Sequence, residues 1–578
     1  MEDIHEPLEA YRDGLKEAFE KNAEEAFEQL SNESEVDAEA NRATCKKIYK
    51  TSHLIDIHST KLLWMKVLMW SVITVGAVLL FFPLYQDSLF PSLSEIDSTY
   101  LYLIAGSCIV TGIILIFVSL VFVQREIEDM KEELGKLNAS LKELMEEARL
   151  QMAPLNNLFS WDIPVKLIEK TVPSIHFDPF FNAARLSELQ NEFGYNGFLN
   201  EDSSVLFAHS GDVKGNPFVI ATVKKFYMGT EIYTGYKTIY WTEYEEDDEG
   251  HRERVEYSET LSASVEKPCP KYETKTFLLY ANEAAPNLSF SRAPEGLAEN
   301  KAFTGFKKWK KRRKLEKFSR NLKDKSNYTM MANKEFEVMF NSSDRDNEVE
   351  YRLLFTPLAQ NAMLKLIKDR EVGYGDDFSM LKSKKINVVL PEHLKCFDLN
   401  TDPTRFQGWN YDAVKAKFIN FNNQYFKEIY FAFAPLLSIP LYQQTRTRKE
   451  IYGEKLVNSS SFWEWEALAN FEGEGKFADP DSVTDNILKT KLIRERKDGS
   501  KEIRVTAHGF CGYECEDSEE VLGGDGNFHT VYIEWIDYDP VSMDTDILIK
   551  EMPEVETDIV RSEAYSTDDL RRKILIER

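Results

Sequence analysis

Leu62-Leu-Trp-Met-Lys-Val-Leu-Met-Trp-Ser-Val-Ile-Thr-Val-Gly-Ala-Val-Leu-Leu-Phe-Phe-Pro-Leu84 decides how this chain is read. Its single charge, Lys66, lies near one end, where a long stem can carry the ammonium to a polar layer. A second apolar run, residues 100–123, holds no charged residue. A bilayer core of ~30 Å takes ~20 helical residues, and each run is long enough. Trp64, Trp70, Tyr85, Tyr100 and Tyr102 stand near the ends, where amphipathic rings favour the interface. The pair predicts a two-helix transmembrane hairpin over residues 62–123. The competing reading is a helical hairpin buried in a soluble core.

Working outward, basic residues flank both runs on one side. Arg42, Lys46, Lys47, Lys50 and Lys61 precede the first, and Arg125, Lys131 and Lys136 follow the second. The connection, residues 86–99, has no Lys or Arg and carries Asp87, Glu95 and Asp97. The positive-inside rule then puts both termini in the cytoplasm of a cell membrane crossed twice, with the short connection outside. The acidic start, Met1-Glu-Asp-Ile-His-Glu6, lacks the basic region of a signal peptide, so the first run is expected to stay as an anchor.

With 578 residues, the chain exceeds what one core usually holds. Hydrophobic residues make up 43% and aromatics 12%, which argues for packed domains over global disorder. The formal net charge of -26 disfavours nucleic acid as a partner. Six sparse cysteines form no disulfide framework and suit a reducing compartment.

The pattern predicts five segments: an N-terminal cytosolic helical segment (1–61), the hairpin (62–123), a stalk helix (124–153), an α+β cytosolic domain (154–400) and a second α+β unit (401–578). The fold class is thus an α+β cytosolic region with mixed or antiparallel sheets behind a membrane hairpin and helical stalk. Ile127, Met130, Leu134, Leu137, Leu141, Leu144 and Ala148 form an a/d-type seam. It can pack on the helical segment before the first run, or on a second copy as a coiled coil. From residue 175, short β-rich runs begin: 205–209, 217–226, 231–241, 254–264 and 274–281 read as strands, with an acidic hairpin tip at 243–250. Residues 412–434 read as a helix, and 430–442 as apolar core. Asp498-Gly499 and Asp525-Gly526 are hairpin turns, and residues 566–578 read as a short charged helix.

Glu350-Tyr-Arg352-Leu-Leu-Phe-Thr356-Pro357, preceded by Phe336, Phe340, Asn341, Ser342 and Asp344, resembles an uncharacterised family of bacterial membrane-anchored domains, the DUF3137 type. Ser210-Gly-Asp-Val-Lys-Gly215 looks like that family's early glycine turn. The resemblance covers roughly residues 175–390; the acidic hairpin and a basic segment depart from its compact pattern. Residues 433–442, with Glu464, Trp465, Glu466, Ala469 and Asn470, look like extended relatives from small-genome bacteria. The resemblance implies anchoring by paired N-terminal membrane helices and no assigned activity, so it carries no catalytic residue over. On physical grounds, Thr356 before Pro357 is a helix N-cap, and Arg352 on the preceding strand can pair with Glu350 or Asp344.

No phosphate-loop, dinucleotide, nucleophile-elbow or zinc-protease motif is present, and no catalytic residue is assigned. Gly473-Glu-Gly-Lys476 lacks the first glycine and final hydroxyl of a phosphate loop. His508, Cys511, Cys515 and His529 could supply tetrahedral zinc, the one cofactor considered, but they fall on alternating strand positions across a hairpin. The concentrated feature is residues 307–325, where Lys307, Lys308, Lys310, Lys311, Arg312, Arg313, Lys314, Lys317, Arg320, Lys323 and Lys325 face only Glu316 and Asp324. Phe303, Phe306, Leu315, Phe318 and Leu322 recur at roughly helical spacing. This helix is either a solvated face packed on its domain or a contact with anionic lipid headgroups of the bilayer; an acidic protein partner is a third reading. The sequence thus points to a membrane-anchored cytosolic scaffold or ligand-sensing module, non-enzymatic, whose partners are lipid, another membrane protein or a further copy of itself. The alternative is an enzyme acting on a membrane-associated substrate through a site with no linear motif.

Overall fold

The computed structural model describes residues 4–89, 98–197, 201–246, 252–298, 304–320, 328–445, 459–551, 570–571 and 574–577. The chain separates into two units. One comprises residues 1–23, 160–402 and 421–578, the other residues 24–159 and 403–420.

The second unit is helical. Helix Ala38–Leu89 runs back along helices Ser98–Val118 and Gln124–Asn156, which a five-residue π-helical segment joins. Paired contacts fix an antiparallel register: Gln151 donates to Thr44 (3.1 Å), His58 lies 3.6 Å from Glu133, and Gly76 abuts Gly112 and Ile116. A Cβ on Gly76 would sit 2.8 Å from Ile116 Cγ1 and 3.1 Å from the Gly112 carbonyl. A small residue therefore sets this close approach, as in membrane helix pairs. Ile127, Met130 and Ala148 of the seam are buried, while Leu134, Leu137, Leu141 and Leu144 are half-buried. Within this chain the seam packs against helix Ala38–Leu89. Two helices are long and apolar enough to cross a membrane, and only 6% and 7% of their apolar windows are buried. Leu63, Trp64, Val67, Trp70, Ile113 and Phe117 all stand exposed, which is not how a helix at the centre of a soluble core presents itself.

The first unit holds two antiparallel sheets. The larger is built from β1 (Ile175–Phe177), β2 (Ser203–Val213), β3 (Asn216–Glu246), β4 (Arg252–Ala281), β5 (Ser289–Arg292), β6 (Phe378–Ser383) and β7 (Ile386–Pro391), in spatial order β1-β2-β3-β4-β7-β6-β5. The smaller contains β8 (Ile487–Glu495), β9 (Lys501–Leu522), β10 (Phe528–Glu551), β11 (Leu570–Arg571) and β12 (Ile574–Glu577), ordered β11-β12-β10-β9-β8. Asp498-Gly499 and Asp525-Gly526 form turns as expected, with Gly499 and Gly526 at φ +81° and +78°, where other residues are strained.

Helix Phe462–Glu472 explains why both sheets belong to one unit. Trp463 and Ala467, four apart, enter the core beneath the larger sheet beside Phe181, Val219 and Phe277. Trp465, Leu468 and Ala469, on the other side of the same helix, enter the core of the smaller sheet beside Leu488, Ile503 and Val505. The unit that holds both sheets takes in chain on either side of residue 400, with residues 403–420 belonging to the helical unit.

Four local readings change. The separate strands read at 217–226 and 231–241 are one strand, β3, because its pairing with β4 runs without a register shift from Phe218 to Glu246; 254–264 and 274–281 likewise merge into β4. The C-terminal segment read as a helix pairs as strands, Ile574–Glu577 lying along Glu551–Leu548, because the edge of β10 offers backbone partners to the apolar run Ile574-Leu575-Ile576; Asp568 and Asp569 lie outside the described residues. Arg352 lies on helix Glu348–Leu354, not a strand, so it meets Glu348 one turn back at 3.4 Å. Glu350 instead accepts from Asn287, and Asp344 from Ser291. Thr356 caps helix Pro357–Lys368 as read, accepting from the Ala359 amide.

Both sheets extend into two-stranded ribbons. β2 pairs with β3 only as far as Lys225, and β7 with β4 only from Leu278, so β3 and β4 run on alone. β9 and β10 do the same beyond the reach of β8. The two ribbons pack face to face through Ile239, Leu261 and Ala263 against Val531 and Ile533. Gly235 permits the contact, since a Cβ there would lie 2.0 Å from the Tyr532 carbonyl oxygen. The acidic tip falls at residues 243–250, of which 247–250 lie outside the described residues.

Candidate functional site

The basic stretch forms helix Thr304–Arg320. Lys, Arg and Leu are good helix formers, and nothing in Thr-Gly-Phe-Lys-Lys-Trp-Lys-Lys-Arg-Arg-Lys-Leu interrupts it after Gly305. One side meets the protein. Leu315 is buried, Phe318 lies against Tyr328 with centroids 5.2 Å apart, and Ser319 Oγ accepts from the Met330 amide. Lys311 turns inward to Glu295 at 2.6 Å; burial lowers its pKa, and the carboxylate works against that fall. Glu316 receives Lys334 (2.9 Å) and Arg312 (3.1 Å), and those two cations hold its carboxyl below the usual range.

The opposite side is different. Phe306, Trp309, Lys310, Arg313, Lys317 and Arg320 follow the three-and-four spacing of one helix face, and all are exposed. Phe306 and Trp309 are 61% and 49% exposed, stacked at 5.7 Å, with the Arg313 guanidinium 4.2 Å from the Trp309 ring centroid. Among the described residues, Lys307, Lys310, Lys314, Lys317 and Arg320 pair with no carboxylate. Two aromatic rings amid unpaired cations form a surface with an apolar and an anionic requirement. Lys308 is half-buried, and Lys323 and Lys325 lie outside the described residues, as do Phe303 and Leu322. Phe306, Leu315 and Phe318 recur at roughly helical spacing, yet the helix sends Phe306 to the exposed side and the other two toward the protein. Trp309, absent from that reading, had a signal in the sequence: three residues after Phe306 and four before Arg313.

The four residues considered for zinc do not converge. His508 and Cys511, an odd number apart on β9, point to opposite faces. Cys511 and Cys515 share a face but lie about 13 Å apart along it. Cys511 contacts the Tyr513 hydroxyl, and His529, near the turn, pairs with Asp525 at 3.0 Å. No group of three or more His, Cys, Asp or Glu side chains able to hold a metal occurs among the described residues.

A cleft of about 830 Å³ lies where β3 and β4 pass the smaller sheet. Phe226, Tyr272 and Phe510 line it, with His508, Lys491 and Ser542 among its polar groups. Because the walls come from strands far apart in sequence, no linear motif marks it. Buried ionic groups elsewhere serve packing. Arg345 sits between the Tyr328 and Tyr351 rings and binds Glu337 and Glu348, while Arg185 binds Asp178 and Glu188. Comparison with protein-family models, curated proteins and solved structures gave no match. The resemblance of residues 175–390 therefore rests on its own motifs.

Proposed function

We propose that the chain is a membrane-anchored scaffold or ligand-sensing module whose helix Thr304–Arg320 docks on an anionic lipid surface. The observation that carries this is the outward face of that helix, where exposed Phe306 and Trp309 stand among cations that pair with no carboxylate among the described residues. Interfacial helices combine these two features: rings enter the headgroup boundary while Lys and Arg meet anionic lipid. Lys307, Lys310, Lys314, Lys317 and Arg320, at about 1 kcal/mol each near the surface, would supply several kcal/mol before ordering costs. The antiparallel apolar hairpin is the anchor, with both termini cytoplasmic on the positive-inside argument. Anchoring raises the local concentration of lipid for the basic helix, so weak contacts suffice. The cleft at His508 gives the sensing reading a place for a small ligand.

The test uses the full chain in nanodiscs of neutral or anionic lipid, followed by hydrogen exchange across residues 304–320. Exchange should slow only on anionic lipid, and the protection should fade as salt shortens the Debye length toward ~8 Å. Replacing Phe306 and Trp309 with Ser, or Lys310, Arg313 and Lys317 with Gln, should remove it. Equal exchange on both lipids at low salt would return the helix to a solvated face.

A further inference from the structure

The β3–β4 ribbon has a second face that β9 and β10 leave uncovered. From Ile232 to Tyr244 the even-numbered residues are all exposed. Ile232, Tyr236, Tyr240 and Tyr244 recur every fourth residue on β3, with exposures of 64%, 71%, 79% and 71%. Opposite Tyr236 and Tyr240 on β4 stand Ser262 and Ser258, and the levels between pair Thr234 with Ser264 and Thr238 with Thr260. Every residue across those four levels is uncharged. A row of large rings thus lies beside a row of small hydroxyl side chains on one face of the ribbon. Monomeric proteins seldom leave so extended an aromatic stripe open to water.

We propose that this face is a two-fold contact between two copies of the chain, laid antiparallel with the Thr238–Thr260 pair at its centre. The charges at its ends select that arrangement. Six residues to one side of Thr238 lies the Ile232–Glu266 pair, and six to the other lies Tyr244–Arg254. A two-fold axis through the centre sets each of these levels over the other, so Glu266 of each copy meets Arg254 of its partner. Within each chain, neither Glu266 nor Arg254 has an ion pair among the described residues. The remaining acid of this stretch, Glu256 opposite Thr242, falls over the Thr234 and Ser264 hydroxyls of the partner. Tyr236 then lies over Tyr240 of the other copy, where offset rings attract. Residues 230–246 extend about 55 Å at ~3.3 Å per residue, and two strands are about 10 Å wide, so the two copies would bury roughly 1,100 Å², enough for a specific contact of modest affinity. The opposite face already holds a ribbon along this same stretch, through Ile239 and Leu261, so a twisted ribbon of this kind does accept another along its length.

The test is cysteine cross-linking in the full chain in detergent micelles, using a bismaleimide whose arm of about 10 Å matches the separation of packed sheet faces, with linked peptides read by mass spectrometry. Thr238→Cys should give a link between two copies through position 238 when the bismaleimide is added. Thr230→Cys should not, because the two positions 230 would lie about 53 Å apart. Tyr236→Ser with Tyr240→Ser, both at exposed sites, should cut the 238 link at least tenfold while leaving the thermal melt unchanged. Glu266→Arg or Arg254→Glu alone should weaken the link, and the two together should restore it. Absence of the 238 link, equal linking at 230, or a double reversal no better than either single change would overturn the proposal. The first of these results would leave the face to a different protein.

Discussion

Lys382 on β6 offers the sharpest quantitative test of the larger sheet. Its side chain is fully buried, and Nζ donates to the carbonyl oxygens of Ala284 at 3.1 Å and Lys384 at 2.5 Å. Burial lowers its pKa from 10.5 to about 7, with only a weak opposing pull from Glu350. Because the folded value lies below the unfolded one, the unfolded chain binds more protons between pH 7 and 10.5, and stability rises with pH across that window. At about 1.4 kcal/mol per pH unit, the whole span amounts to roughly 5 kcal/mol. Lys382→Met removes the titration and also removes a donor from two carbonyls, at a cost of about 1–3 kcal/mol. The variant should therefore be the more stable protein near pH 7 and the less stable one near pH 10, the order reversing between. Urea unfolding of both proteins from pH 6.5 to 9.5 reads this directly, since groups common to both cancel in the difference. A difference that stays flat across that range would refute the argument, for it would mean that the folded protein keeps the ammonium charged.

Trp463→Ala should cost about 3–5 kcal/mol, because a fully buried indole packed on Phe181 at 5.3 Å leaves a cavity. A loss under 1 kcal/mol in urea unfolding would show that helix Phe462–Glu472 does not join the two cores. Gly235→Ala would place a Cβ 2.0 Å from the Tyr532 carbonyl oxygen, so the ribbons must separate there; faster hydrogen exchange at residues 530–534 is expected, with the larger sheet unaffected. For topology, a cysteine in place of Ser92 should react with an impermeant thiol reagent on intact cells while one near residue 578 does not. The reverse pattern would invert the orientation drawn from Lys and Arg.

Much of the local structure was legible in the sequence. The apolar runs, the Asp-Gly turns, the Thr356 cap and the apolar core segment 430–442, buried but for half-buried Leu441, rest on nearest-neighbour physics, and each is found. Arg352 was misplaced because Glu350-Tyr-Arg-Leu-Leu-Phe reads equally as a short strand; Asn347, accepting from the Glu350 amide, starts a helix instead. The C-terminal segment failed for the opposite reason. Its charges suit a helix, but the free edge of β10 gave Ile574–Glu577 backbone partners that a helix end would not have had. The zinc candidates were grouped by sequence proximity, and strand alternation separates them.

The candidate surfaces were legible only in part, and for a shared reason. A period of two or of 3.6 says that an element has two faces, and burial in the fold decides which one is covered. On helix Thr304–Arg320, Leu315 and Phe318 are covered while Phe306 and Trp309 are not, though Phe306, Leu315 and Phe318 share one roughly helical spacing in the sequence. On β3, Ile239 is covered by β10 while Tyr240, its neighbour, is 79% exposed. In both elements the exposed side keeps its large rings after the fold has buried its own core. A surface shaped only by solubility would replace those rings with polar groups at little cost to packing. Their retention on two separate elements, one ringed with cations and the other set in neutral hydroxyls, argues for two contacts of different chemistry: lipid for the helix and a second copy for the ribbon.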